Sequence, residues 1–444
     1  MKNLFLILLF LPVFAKGQII TTVAGGGTGG LGDGGLATAA TIGYTGGLAV
    51  DRSGNIYIAD ANNQRVRKVD ATTGIITTIA GTGTPGYNGD NIAATTAKLN
   101  LPAAVSVDTF GNLYITDDNN YRIRKVDVNT GIITTFAGNG IFGHSGDDSL
   151  ATNAKITGGF TAWDAFGNMY IGDNYRIRKV DASGIITTVA GTGLDSCVVD
   201  SAVAITANIN DGVISTDRFG NVYFSSIDSC VTIHKINFTT GIISRVAGTN
   251  DHIGIPYSGD GLLATSCHIY PIGVIVDDTG NLYIADYENQ RIEKVDTTGT
   301  IYTIAGNGVN GFGGDNGLAT AAKISYPENV ALDPCGNVYI MDFNNKRVRK
   351  VTFDTSCNLS TLKSTSILPE STITIFPNPA TTSLTIQPTA QPITEIIITN
   401  LLGQTIYTQQ QTTTQQQTID VSTFPTGIYF IKINSTEVRK FVKE

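Results

Sequence analysis

The residues of this 444-residue chain that could do chemistry are four histidines, five cysteines and recurring aspartate, arginine and aromatic positions. The histidines, His144, His234, His252 and His268, show no H-x-x-x-H or other compact metal spacing, and no G-x-S-x-G turn presents a nucleophilic serine. His144, His252 and His268 form a weak candidate set for a metal ion. No catalytic residue is assigned and no cofactor is expected. The acid–base pairs are more regular: Asp60 with Arg65, Asp117 with Arg122, Asp173 with Arg176, Asp286 with Arg291, and Asp342 with Arg347. A carboxylate and a guanidinium at such spacing can tie a turn together through charge-assisted hydrogen bonds, or the arginines can face a ligand. An aromatic-x-Gly-Asp pattern also recurs, at Tyr87 with Asp90, His144 with Asp147, Tyr257 with Asp260 and Phe312 with Asp315, with a variant at Leu31 and Asp33. The aspartates read as N-caps of short helices, because each stands just before a Leu-Ala-Thr-like run. The aromatic residues are candidates for ligand contact.

The elements that position these residues come from a repeat of about 55 residues. Its clearest copy is 48–81, LAVDRSGNIYIADANNQRVRKVDATTGIITTIAG. The turn Asp-x-x-Gly-Asn, followed by an apolar residue and Tyr, starts at Asp51, Asp108, Asp164, Asp217, Asp277 and Asp333. Each unit reads as four short strands, a to d, separated by turn residues. Such a meander cannot bury both faces alone, so units must stack in a ring, which predicts an all-β, six-bladed propeller. The sixth unit stops after strand c near Val351, while an orphan strand d stands at Ile19–Ala24. That N-terminal strand is expected to complete the last blade and remove an exposed edge. Alternating strand direction puts the b–c turns and the long d–a inserts on one face, where binding residues usually sit.

The Asp-x-x-Gly-Asn-x-Tyr pattern with its Asn-x-Arg turn resembles the NHL repeat over roughly residues 19–353. Unit four departs from it, with Ser226 in place of the strand-b aspartate. Some NHL propellers use the b–c face for RNA or peptide recognition, and certain NHL-like propellers are metal-dependent lyases; the resemblance carries both uses as expectations. A net charge of −8 and a pI near 5.1 argue against nucleic acid.

Loop parity narrows the cysteine pairing. Cys197 and Cys230 fall on one face of unit four, and Cys335 and Cys357 on the opposite face of unit six, so these are the candidate disulfides, with Cys267 left buried and free. Five reduced thiols are the alternative.

Both chain ends differ in composition from the repeat. Met1-Lys2-Asn3 followed by the apolar run Leu4–Phe14 and Ala15-Lys16-Gly17 reads as a signal peptide, 1–17, cleaved before Gln18. The run is short for a bilayer span, and no later segment reads as one. After the propeller, 18–353, a Ser/Thr-rich linker covers 354–372. Residues 373–444 read as a small β-sandwich. Their phrases FPNP (Pro377, Asn378, Pro379), NLLGQ (Gly403) and FPTGIYFIKI (Gly427) resemble the type A sorting domain of the type IX secretion system of Bacteroidetes. That resemblance implies export, engagement of the type IX secretion machinery, and a secreted or outer-surface location.

A monomeric, exported binding scaffold is therefore expected, using the loop-rich rim to hold a glycan, peptide or protein. The rim candidates are Tyr87, His144, Tyr257 and Phe312 with Arg65, Arg122, Arg176, Arg291 and Arg347. An extracellular metal-dependent lyase or hydrolase, and a purely structural adhesin or matrix component, are the alternatives.

Overall fold

The Asp-x-x-Gly-Asn segments fold as tight turns because one aspartate satisfies most of the turn's donors. In the first unit Asp51 Oδ1 accepts the backbone N–H groups of Ser53 and Asn55 at 2.8 and 2.9 Å. Its Oδ2 accepts the Asn55 amide at 2.7 Å and the Tyr57 hydroxyl at 3.1 Å. Gly54 sits at φ +80°, a conformation that costs a residue with a Cβ. The Asn and Tyr bonds recur at Asp108, Asp164, Asp217, Asp277 and Asp333. Each knot fixes where strand a ends and strand b begins, and so sets the register of the sheet.

The computed structural model describes residues 18–44, 46–210, 212–227, 230–249, 257–353, 373–377, 379–388, 392–400, 404–413, 415–434 and 437–443. The proposed signal peptide, the linker and His252 lie outside them. The chain divides into two compact units, 1–359 and 360–444.

The first unit is a β-propeller of antiparallel sheets. Six sheets of four or five strands start from the a strands Leu48–Val50, Pro102–Val107, Thr161–Trp163, Ile214–Thr216, Pro271–Val276 and Pro327–Leu332. Each a strand lies against that of the next sheet, and the first lies against the sixth. The sheets, numbered one to six as blades, stack face to face. Ile58, Ile76, Tyr339 and Met341, for example, belong to one buried cluster joining blades six and one. The strand Ile19–Gly25 pairs antiparallel with strand c of blade six, Arg347–Thr352, and so takes the strand-d position of the last blade, with the short insert strand Gly317–Leu318 outside it. Between the a strands runs a narrow channel of about 240 Å³, lined by small and branched residues such as Ala49, Val105, Ala162, Ser215, Val274 and Val330, with Phe160 near one end.

The second unit holds a three-stranded and a four-stranded antiparallel sheet. Leu384, Ile386, Ile396, Ile398, Tyr429, Ile431 and Phe441 share its core. Gly427 opens the strand Gly427–Ile433, and Pro377 and Pro379 follow the first strand, Ile373–Phe376. Asn378 and Gly403 lie outside the described residues.

Candidate functional site

Strand c of blade one carries two arginines on one sheet face, and they do different work. Arg65 lies opposite Asp60 in register, but its guanidinium donates to the carbonyls of Asn63 and Thr82 at 2.9 and 2.7 Å. Arg67, fully buried, takes the carboxylates instead: Asp60 at 3.4 Å and Asp33 of the insert at 2.8 Å. The expected Asp60–Arg65 pair is thus replaced by Asp60–Arg67, because the long side chain two residues further along the strand reaches diagonally across the sheet to the carboxylate. The same correction holds for three other blades. Arg124 bridges Asp117 and Asp90, Arg178 bridges Asp173 and Asp147, and Arg349 bridges Asp342 and Asp315.

The insert aspartates are not helix caps. The short helices are single 3-10 turns such as Ala37–Ala39 and Ala94–Thr96, with Leu36 and Ala93 at their N-caps and no side-chain capping bond. Asp33 and Asp90 accept hydroxyls of the outer strand instead, from Thr78 at 2.7 Å and Thr135 at 3.0 Å. Each aspartate therefore clasps its insert onto the blade through a buried guanidinium.

The rim candidates roof these clasps. Tyr87 stacks on Arg122 and Arg124, with guanidinium carbons 4.0 and 4.8 Å from the ring centre, and Phe312 stacks on Arg347 and Arg349 at 4.0 and 5.1 Å. Arg291 lies 4.7 Å from Tyr257. His144 Nδ1 stands 3.6 Å from Asp173, and burial together with Arg176 and Arg178 lowers its pKa. Arg122, Arg176 and Arg347 donate to nearby backbone carbonyls, as Arg65 does. Much of each arginine's donor capacity is used within its own blade.

Two blades break the clasp. In blade four His234 stands where the buried arginine would be and Ser226 where the aspartate would be, and burial pushes the His234 pKa down to about 4, so the ring is neutral. Cys197 and Cys230 are bonded there, with Cα atoms 5.3 Å apart. In blade five Glu293 replaces the arginine. Its Oε2 accepts the Tyr257 hydroxyl at 3.1 Å and its Oε1 the Thr303 hydroxyl at 3.1 Å, and burial with Asp286 and Asp260 nearby raises its pKa to about 8. Cys267 is buried and free, and Cys335 is disulfide-bonded, while Cys357 lies outside the described residues. His144 belongs to the insert of blade three and His268, bonded to Ser258 at 3.2 Å, to that of blade five. Among the described residues no group of three His, Cys, Asp or Glu side chains is placed to hold a metal.

A further aromatic group on this face lies outside the repeated motif. Tyr270 and Tyr326 each precede a proline that opens strand a, and Tyr287 follows strand b of blade five, Leu282–Asp286. Their rings form a wall, Tyr270 to Tyr287 at 6.1 Å and Tyr287 to Tyr326 at 4.8 Å between centres. Tyr326 is held at φ +51°, and its N–H donates to Gln290 Oε1 at 2.6 Å. A left-handed tyrosine costs on the order of 1 kcal/mol, so the position is kept by its surroundings. Tyr44 and Phe343 form a second aromatic pair at 5.1 Å, with Lys346 4.6 Å from the Tyr44 ring. Glu328 completes the site. The pairing of blade six jumps from Pro327–Asp342 to Asn329–Met341, so Glu328 occupies a β-bulge, which redirects a side chain out of the ladder. A Cβ on Gly46 would lie 3.4 Å from its Oε2 and 3.7 Å from the Phe160 ring, which places the carboxylate at the channel mouth. Burial raises its pKa to about 7. The signal available in the sequence was the recurrence of an X-Pro pair before strand a at Leu101-Pro102, Tyr270-Pro271 and Tyr326-Pro327.

Comparison with known proteins matches residues 46–69 and 269–294 to the NHL repeat and residues 374–444 to the secretion system C-terminal sorting domain. Among curated proteins the chain is 25% identical over 329 residues to Protein SUPPRESSOR OF QUENCHING 1, chloroplastic, of Arabidopsis thaliana, covering 69% of this chain and 30% of that one. It is 29% identical over 237 residues to Teneurin-1 of Homo sapiens, covering 47% of this chain and 8% of that one. The chain spans less than a third of the length of these relatives. Among solved structures, a protein of unknown function and an auxiliary nutrient binding protein, both of Bacteroides thetaiotaomicron, share the fold at TM-scores of 0.55 and 0.52, with 19% and 17% identity and 76% of each chain covered. Among the described residues no helix is long and apolar enough to cross a membrane. The chain carries NHL repeats within a β-propeller and a type IX C-terminal sorting domain that implies engagement of the secretion machinery, and it is a secreted or cell-surface protein.

Proposed function

We propose that this protein is an exported binding scaffold whose propeller, residues 18–353, holds a glycan, peptide or protein ligand at the channel mouth. Residues 1–17 act as the leader, 354–372 as a connector, and 373–444 as the sorting domain. The observation that supports the reading is the half-buried wall of Tyr270, Tyr287 and Tyr326 beside Glu328. Aromatic rings fixed by backbone geometry offer a large contact area at low entropic cost, which suits recognition. The rim candidates named above support the inserts, and the mouth is the surface they frame.

The test is a glycan and peptide array probed with the full secreted chain, followed by affinity measurement for each ligand found. Tyr287→Ala and Tyr326→Ala are expected to weaken binding by about tenfold or more, the scale of a lost aromatic anchor. Ligands whose affinity neither substitution changes would remove the mouth as the binding site.

A further inference from the structure

Aromatic rings in this propeller are repeatedly matched with a cation of the protein's own. Lys68, Lys125, Lys235, Lys294 and Lys350 lie 5.0–6.0 Å from the rings of the strand-b tyrosines Tyr57, Tyr114, Tyr223, Tyr283 and Tyr339. Arg122, Arg291 and Arg347 cover Tyr87, Tyr257 and Phe312, and Lys346 covers Tyr44. Tyr287 and Tyr326, like the strand-b tyrosine Tyr170, are without such a partner: among the described residues neither ring has a lysine or arginine over it.

The carboxylate beside them is equally unmatched. Glu328 has neither a hydrogen bond nor an ion pair among the described residues, although its charge is felt at Tyr287. The equivalent bulge residues in blades two and five are Ala103 and Ile272, so the backbone device does not require an acid. A carboxylate turned into a partly desolvated mouth with no counter-ion is costly, and a ligand that brings a positive charge removes that cost.

Resting on the binding-scaffold reading, we infer that the mouth takes an organic cation: an ammonium group seated against the faces of Tyr287 and Tyr326, with its charge balanced by Glu328. Ring faces attract such groups through their negative quadrupole, and a carboxylate at the same site adds a Coulombic partner.

The experiment titrates the full secreted chain by isothermal calorimetry with choline and with its neutral isostere 3,3-dimethylbutan-1-ol. Choline is expected to bind at least about tenfold more tightly than the isostere, in line with a desolvated cation–π contact. Glu328→Gln and Tyr287→Leu are each expected to lower choline affinity by a similar factor, while the melting temperature of Glu328→Gln does not fall. Absence of choline binding, equal affinity for the isostere, or an unchanged Glu328→Gln variant would overturn the inference. A glycan or neutral peptide that needs Tyr287 but not Glu328 would overturn the cation and leave the binding mouth intact. Ligands that depend on neither Tyr287 nor Tyr326 would remove both.

Discussion

At the scale of single residues, blade five shows how one substitution changes the chemistry of a geometry repeated around the ring. Arg67, Arg124, Arg178 and Arg349 neutralise two carboxylates each, whereas Glu293 adds an acid to Asp260 and Asp286. Burial is the largest cause of its pKa of about 8, followed by Asp286 and Asp260, and the Tyr257 and Thr303 hydroxyls lower it only in part. Asp286 is itself raised to about 7 by burial, against hydrogen bonds from Tyr270 and Asn289 and the charge of Arg291. The folded state therefore keeps protons that the unfolded chain has released above its ordinary value of 4.5, so stability declines as pH climbs from there through about 8. The lowered carboxylates Asp147 and Asp277 act at the acidic side of 3.8 and stay out of this window, whereas buried His234, at about 4 against its ordinary 6.5, makes stability rise with pH between those values and offsets part of the loss. Denaturant unfolding at about pH 5 and about pH 8.5 is expected to show the wild type losing on the order of 2 kcal/mol, with Glu293→Gln losing less. Equal losses in the two proteins would show that Glu293 does not carry the effect.

At the scale of elements, the buried guanidinium is what fastens each long insert to its blade. Arg124 has no exposed surface, and Asp117, also fully buried, has its pKa pushed up to about 6 by that burial even with Arg124 beside it. Removing the guanidinium by Arg124→Leu leaves Asp117 without its charged partner in the interior, and a cost of about 3–5 kcal/mol is expected by chemical denaturation. A change below about 1 kcal/mol would mean that the Asn120 and Asn100 bonds suffice to hold the turn. The sequence made the turn, the strand order and the insert face readable, because Asp51 and its equivalents act within six residues of themselves. It did not reveal the clasp. Asp60 and Arg65 are close in the chain and face each other in register, while the working partners Asp33 and Arg67 are 34 positions apart and meet only after the insert folds back. The tyrosine wall was hidden for a related reason: Tyr270 and Tyr326 lie outside the repeated motif in consecutive blades, and only the stacking of blade six on blade five brings Tyr326 to Tyr287.

At the scale of the whole molecule, the ring depends on the first strand of the described chain joining the last blade. Ile20 pairs with Val351, is fully buried, and packs in one cluster with Ile304, Val338 and Ile340, so it links blades five and six as well as closing the circle. Thr22 adds a 2.6 Å hydrogen bond to Asp315, the same carboxylate that binds Arg349, and so connects the closing strand to the insert clasp of blade six. Ile20→Ala removes buried methyl groups at a site hemmed in by two sheets, which costs about 2–5 kcal/mol. If closure holds the ring as one cooperative unit, that cost appears as a lower midpoint of a single unfolding transition, and amide exchange quickens in blades five and six together. If the closing strand is only a local cover, exchange rises in Arg347–Thr352 alone and the global midpoint stays where it was. Blade stacking favours the first outcome, since each core cluster is shared between neighbours and none of the strands at the join has a second sheet to fall back on.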